Sequence, residues 1–237
     1  MVYDSPDATS TNNESRQARL MRFSEREIAE NHALLLERNA VFQRFGYDFE
    51  KSADFVLSRS LPLPGRVLEI GTGKGRFLSA LLRHVPLVTT VDLDGSEQRF
   101  ARLNIAFEKP RGEVRFVIAD AGSLPWRERT FDSAISVNAL HHMNNLPRIA
   151  DELLRVVTHR GKIVLADLDE EGLAIFDSVH AQEGRTHQRT GFCFEDLAKH
   201  FRSRGCTAVL SHGYLHVVLF AFNPSADADT GGDQPLR

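Results

Sequence analysis

Lysine is scarce in this chain: of 29 basic side chains in 237 residues only five are lysine, at positions 51, 74, 109, 162 and 199. The other cations are arginine, an imbalance that reads as codon usage rather than as a binding surface. Neither sign of charge dominates, because 32 acidic residues leave a formal net charge of −3. Such a chain has no overall field to gather nucleic acid or anionic lipid. Two cysteines, Cys193 and Cys206, are too few and too ill-spaced for a disulfide framework or a thiolate zinc site. They are expected as reduced thiols. No apolar run approaches the roughly 20 residues that span a bilayer, and the opening MVYDSPDATSTNNESR has no apolar stretch of the kind a secretory signal needs. The expectation is a cytoplasmic protein with neither nucleic acid nor membrane as partner.

Hydrophobic residues make up 42% of the chain and charged residues 26%, enough apolar surface for one core. Residues 1–16 and 223–237 are too polar to pack and are expected as tails flanking a single domain at 17–222. Leu20, Phe23, Ile28, Leu35, Leu36, Val41, Phe42 and Phe45 recur at helical spacing and predict a helix over 17–45, with a shorter one over 52–59. From Pro64 onward short apolar runs alternate with helical stretches. The strands expected are RVLEI (66–70), LVTTVD (87–92), VRFVIAD (114–120), FDSAISV (131–137) and GKIVLADL (161–168), with helices at 75–84, 95–107 and 145–158 between them. This alternation predicts right-handed crossovers and a mostly parallel sheet covered on both faces. TAVLSHG and HVVLFAF, joined by a tight segment, predict a closing hairpin with an antiparallel last strand.

Ligands of such sheets bind at the carboxyl ends of the strands, and the unusual residues fall there. The first strand runs into VLEIGTGKGRF, with Glu69 followed by Gly71, Gly73 and Gly75 on alternate positions and then a helix. Glycine turns tightly and admits a ligand against the backbone. The second strand ends in Asp92, Leu93 and Asp94, and a carboxylate there can accept both hydroxyl protons of a ribose. The third ends in Asp120 and Ala121, where an acid and the next backbone N–H suit an exocyclic amine and a ring nitrogen. A dinucleotide fingerprint would read GxGxxG with the pyrophosphate on the helix N-terminus. Here the spacing is GxGxG, and Glu69 beside the loop repels a pyrophosphate and favours a cationic ligand such as a sulfonium. Two other readings remain at this point: a nicotinamide-dependent oxidoreductase on a related sheet, and a protein that binds cofactor without catalysis.

Taken in order, Glu69–Gly75, Asp92, Asp120–Ala121, LPW, FD, NALHHM and LLRVVTHRGKIVLADL resemble the class I S-adenosylmethionine-dependent methyltransferases, closest in style to the small-molecule "type 11" group that includes quinone methyltransferases. The resemblance covers roughly residues 60–170. It implies an α/β fold with a doubly wound, mostly parallel seven-stranded Rossmann-like sheet, an antiparallel last strand and S-adenosyl-L-methionine as cofactor. By motif match Glu69, Gly71, Thr72 and Gly73 would line the methionine half, Asp92 the ribose, Asp120 with Ala121 the adenine, and Asn138 the carboxylate and sulfonium region, with Gly75 and Leu93 also among the cofactor-binding residues. Two departures stand out. Lys74 replaces the small residue common inside the loop and is expected to face solvent, and Asp94 adds a second acid.

A sulfonium methyl is already activated, so catalysis needs alignment, exclusion of water and, for a protic acceptor, a base. Residues outside the sheet must supply these, from an N-terminal helical lid at 17–60 and an insert at 169–196. His180, Glu183 and His187 in the insert, with His141 and His142 after the fourth strand, are the expected acceptor contacts or base, and no metal is assigned to them. Asp167 at the fifth strand's end is expected to approach the same cavity. Of His141 and His142, one is expected in the cavity and one packed. The partner is expected to be a small-molecule methyl acceptor of an O, N, S or C nucleophile, and the chain a monomer or homodimer.

Overall fold

In the computed structural model residues 23–223 are described; the tails expected at 1–16 and beyond Asn223, and the start of the helix predicted from residue 17, lie outside them. The first described helix, α1 (Glu25–Arg44), begins at a capping box in which Ser24 and Glu27 exchange side-chain hydrogen bonds with each other's backbone N–H. A turn through Gly46, at φ +99°, leads to α2 (Phe49–Ser60), capped by Asp48.

There follow β1 (Val67–Ile70), α3 (Arg76–Leu81), β2 (Leu87–Asp92), α4 (Gly95–Glu108), β3 (Glu113–Ile118), β4 (Phe131–Val137), α5 (Leu146–Val156), β5 (Val157–Leu168), α6 (Glu170–Gln182), α7 (Phe194–Ser203), β6 (Thr207–Gly213) and β7 (His216–Phe222). The strands form one sheet in the order β3-β2-β1-β4-β5-β7-β6. All neighbouring pairs are parallel except the two made by β7. The chain winds outward from β1 to β3 and then returns to β4 on the other side of β1, which makes the β1/β4 boundary the switch point.

Alternation along β1 explains the two cores. Leu68 and Ile70 face α5 and α7, in a cluster with Ile149, Leu153, Leu197 and Phe201. Val67 faces the other way, with Leu57, Leu78 and Leu81 of α2 and α3. Glu69 shares Val67's face, so the sheet carries one carboxylate into a buried layer. A third cluster, Phe42, Tyr47, Leu168, Phe176 and Val179, joins α1 and α6 over the carboxyl edge.

The structure departs from the sequence reading at element ends, β3 stopping at Ile118 rather than 120 and α3 at Leu81 rather than 84, and more widely at two places. β5 begins at Val157 rather than 161, because Phe131 pairs with Val157 ahead of a register shift. The helix α7 was not foreseen, although Phe194, Leu197, Ala198 and Phe201 carry its buried face at helical spacing. Cys193 and Cys206 are both free thiols. No helix among the described residues is long and apolar enough to cross a membrane.

Candidate functional site

The carboxyl ends of β1, β2 and β4 and the segment after β3 surround a cavity of about 770 Å³, roofed by α1, α2 and α6. The loop after β1 is shaped by positive φ at Gly71, Gly73 and Gly75, and the three glycines serve different ends. A Cβ on Gly71 would lie 2.4 Å from Ala139 Cβ, whereas one on Gly73 would meet nothing within 4 Å and would occupy the cavity. A Cβ on Gly75 would lie 2.9 Å from Ala101 Cβ, so this glycine lets α3 approach α4 and does not line the cavity.

Asp92 closes the loop from the neighbouring strand. Its Oδ2 accepts the Gly73 N–H at 2.7 Å and its Oδ1 the Asp94 N–H at 3.0 Å, which aims the carboxylate at the cavity with lone pairs to spare. Asp94 itself caps α4 through Ser96 N at 2.7 Å. Asp120 accepts the Gly122 N–H at 2.8 Å and, with Ala121, lines the cavity's far end. Leu93 is 75% exposed on the rim, an apolar side chain with nothing to cover in the protein itself. Trp126, of the LPW segment, packs edge-to-face on Phe131 at 5.0 Å and is not part of the lining.

Glu69 sits behind the wall rather than in it. Parallel pairing sets Glu69 beside Thr90, whose hydroxyl donates to Oε2 at 2.6 Å; Thr72 Oγ1 lies 2.6 Å from Thr90 Oγ1 in turn. Burial pushes the Glu69 carboxyl up to about 8, against the Thr90 hydrogen bond, with the nearby Asp92 charge adding to the rise. Asn138, at φ +54°, lines the cavity while its amide lies 2.7 Å from Tyr47 Oη and 2.8 Å from His216 Nε2. Tyr47 is fully buried and therefore a strut between the lid and the sheet, while Phe42 of α1 and Phe49 of α2 line the cavity.

Lys74, expected in solvent, lines the cavity with Arg38 and Arg76. Arg76 lies 4.4 Å from the Phe49 ring and donates to Asn39 at 2.8 Å; burial first and the Arg38 charge second lower its pKa to about 10. These cations form one wall.

Histidines form another part of the lining. His141 is buried, and its Nδ1 lies 2.6 Å from Asp167 Oδ1. His142 lines the cavity with Nδ1 2.8 Å from the Gln188 carbonyl, and His187 lines it with Nδ1 2.9 Å from Asp177 Oδ1. His180 stacks on His187 at 4.8 Å between centroids. Desolvation, reinforced by the neighbouring imidazole charge, lowers the His142 pKa to about 4, and desolvation lowers that of His187. Glu183 does not join them: it ends α6 and forms ion pairs with Arg38 and Arg185, tying α1 to the insert. Sequence reasoning named four of the five histidine-side candidates that meet here but passed over Asp177 and the cationic wall. Their signals were present, since Asp177 is ten residues before His187 and Arg76 opens a helix at a glycine loop.

Residues 68–165 match the model of a family described as "methyltransferase domain". A demethylmenaquinone methyltransferase of Thermotoga maritima is 30% identical over 44% of this chain and 44% of its own length. A malonyl-[acyl-carrier protein] O-methyltransferase of Methylococcus capsulatus is 27% identical over 66% of this chain and 59% of its own. The chain thus spans less than two thirds of these relatives. Among solved structures, an S-adenosylmethionine-dependent methyltransferase of Thermotoga maritima superposes with a TM-score of 0.58 at 22% identity, covering 83% of this chain and 98% of that one. A protein of Pyrococcus horikoshii gives 0.62 at 18% identity, covering 74% and 89%. With the glycine loop, the acids at and beyond the strand ends and the sheet order agreeing, residues 68–165 are similar to the methyltransferase domain of class I S-adenosylmethionine-dependent methyltransferases, and that similarity implies S-adenosylmethionine as the cofactor.

Proposed function

We propose that this protein transfers a methyl group from S-adenosylmethionine to an O, N, S or C nucleophile of a small molecule held between the sheet and its helical roof. The residues fit the cofactor on their own chemistry. Gly73 leaves the space a Cβ would fill, Asp92 keeps acceptor capacity beside it, and the exposed Leu93 offers an apolar cover for a flat ring. In this reading Asp92 holds the ribose, Asp120 and Ala121 the adenine, and Gly71–Gly73 the methionine chain. Asn138 stands by the sulfur, and the wall of Arg38, Lys74 and Arg76 balances the methionine carboxylate. Bound there, the cofactor supplies a methyl already activated by a positive sulfur.

The chain's part is to orient and to dry the site. Phe42, Phe49 and Phe176 exclude water from above. His142 and His187, held neutral by burial, are free to accept a proton from a protic acceptor. The cavity has room for cofactor and a compact acceptor, and relatives named for O-methylation support an oxygen among the nucleophiles.

The observation that carries this reading is the Asp92 carboxylate pinned to Gly73 N at 2.7 Å on the cavity wall. Calorimetric titration of the protein with S-adenosylhomocysteine and, separately, NADH tests it. S-adenosylhomocysteine should bind and NADH should not. Asp92→Ala should weaken the former by about 1–3 kcal/mol, the cost of hydrogen bonds to a charged group; equal binding by wild type and variant would remove the assignment.

A further inference from the structure

We infer that His141, His142 and His187 form a binding site for a divalent transition-metal ion, with an open coordination position facing the cavity. The inference rests on the preceding reading only for what the open position would serve, and a bound ion would take over the proton-removing part given there to His142 and His187. One ligand atom from each of the three side chains lies within 4.8 Å of the other two. Each Nδ1 is already engaged, by Asp167, by the Gln188 carbonyl and by Asp177 respectively. Nε2 is therefore the atom each ring has left to offer. This is how proteins prepare histidine for a metal: a carboxylate or carbonyl on one nitrogen fixes the ring and its tautomer and raises the basicity of the other.

Two of those Nε2 atoms, of His141 and His187, are buried with no hydrogen-bond partner. A buried, unpaired imidazole nitrogen is costly, and two of them within one cluster call for a shared occupant. A purely structural cluster would have paired them with neighbouring donors.

Ligand chemistry selects the ion. Three neutral imidazoles suit Zn, Fe, Co or Ni, whereas Mg and Ca take oxygen ligands. Tetrahedral bonds of about 2.0–2.1 Å would bring the nitrogens to roughly 3.3 Å apart, so the triangle must close by on the order of 1 Å. His187 can supply that movement, since residues 185–193 have no regular secondary structure. The segment is still held in register, because Thr190 N donates to the His141 carbonyl at 2.7 Å.

Three protein ligands with the fourth position open is the pattern of catalytic rather than structural sites. His142 and His187 line the cavity, so that position faces the acceptor. A hydroxyl or enol oxygen bound to the ion would lose its proton to water near neutral pH. Its lone pair would then form the new bond to the methyl as the S–CH3 bond breaks, its electron pair going to sulfur. The acceptor class this favours is a protic oxygen compound able to ligate a metal.

The test uses the full chain, stripped with a chelator and dialysed, then titrated with Co2+ followed by visible absorption and with Zn2+ or Mg2+ by calorimetry. The expected result is one Co2+ per chain with the d–d bands of imidazole ligation, displacement by Zn2+, and no response to Mg2+. His142→Ala and His187→Ala should each weaken Co2+ binding at least a hundredfold, and Asp177→Asn, which leaves all three imidazoles in place, about ten- to a hundredfold. Circular dichroism and a urea midpoint identify any variant that has not folded, and Asp177→Asn then decides alone. The inference is overturned if wild type binds no Co2+, or if folded variants bind it as wild type does. Titration of the same sample with S-adenosylhomocysteine reads the cofactor assignment separately.

Discussion

His141 and Asp167 meet at the carboxyl ends of neighbouring strands with Nδ1 2.6 Å from Oδ1 and both side chains almost wholly buried. Asp167 also accepts from His141 N at 2.9 Å and from Leu168 N at 2.7 Å, so three donors converge on one carboxylate. Asp167→Ala would leave all of them unpaired in a dry environment. The expected loss is about 3–5 kcal/mol, the range for breaking a buried pair from one side. Asp167→Asn, which keeps an acceptor oxygen, should cost less. Urea denaturation of the three proteins measures both, and an alanine variant within 1 kcal/mol of wild type would show that the pair is not what holds the turn.

Glu69 makes stability depend on pH in a direction opposite to that of a salt-bridged acid. Its carboxyl is raised from 4.5 to about 8 by burial, so between those values the folded chain holds a proton that the unfolded chain has released. Unfolding then releases a proton, and stability falls as pH rises through that window. The contribution is fully present below about 4.5 and gone above about 8, with a slope of at most about 1.4 kcal/mol per pH unit. Glu69→Gln keeps an acceptor for Thr90 and has no proton to lose. The difference in urea stability between wild type and this variant should therefore shift in the variant's favour from pH 5 to pH 8, and a pH-independent difference would show that Glu69 is ionised in the folded protein.

Much of this was legible in the chain because backbone-driven features announce themselves. Val67–Ile70 reads as a strand since it is buried on both faces, and the hairpin around Tyr214 and Leu215 is marked by two strongly apolar runs. Asp92 ends β2 and Asp120 lies two residues beyond β3, where topology alone directs them to a ligand. The orientation of Lys74 was not legible, because a loop residue's direction depends on φ at its neighbours, here +48° at Gly73 and +76° at Gly75. Nor was the fate of Glu183. Three residues after His180 it would share that residue's face in a continuing helix, but α6 ends at Gln182 and the carboxylate turns to Arg38, 145 positions away in sequence. Long-range charge pairing leaves no local pattern to read.

That pairing carries its own consequence. Glu183 links α1 to the insert through Arg38, while Arg185 meets the same carboxylate from the other side. Partly exposed pairs of this kind contribute only about 0–1 kcal/mol, so Glu183→Ala should leave the urea midpoint almost unchanged. The roof would nevertheless be less firmly latched, and Arg38, which lines the cavity, would lose its counter-charge. The expected kinetic signature is a several-fold rise in KM for the acceptor with kcat retained. A fall in kcat with KM unchanged would instead return Glu183 to the chemistry, as the base its spacing first suggested.

Gly71 and Gly73 offer the sharpest separation of folding from binding, because both have positive φ but only one has a crowded Cβ position. In Gly71→Ala the new Cβ would stand 2.4 Å from that of Ala139, and Met143 Cε is 3.3 Å away, so the loop and the β4 turn must move apart. Overpacking of this kind costs about 1–3 kcal/mol, on top of about 1–2 kcal/mol for a left-handed residue with a side chain. Gly73→Ala pays only the second cost, since nothing lies within 4 Å of its Cβ. The methyl group enters the space assigned to the cofactor, so Gly73→Ala should remain folded while losing at least tenfold in affinity for S-adenosylhomocysteine. Thermal unfolding together with calorimetric titration of both variants separates the two effects. If Gly73→Ala bound as tightly as wild type, the cofactor would not approach this backbone, and the placement of its methionine half along Gly71–Gly73 would fail.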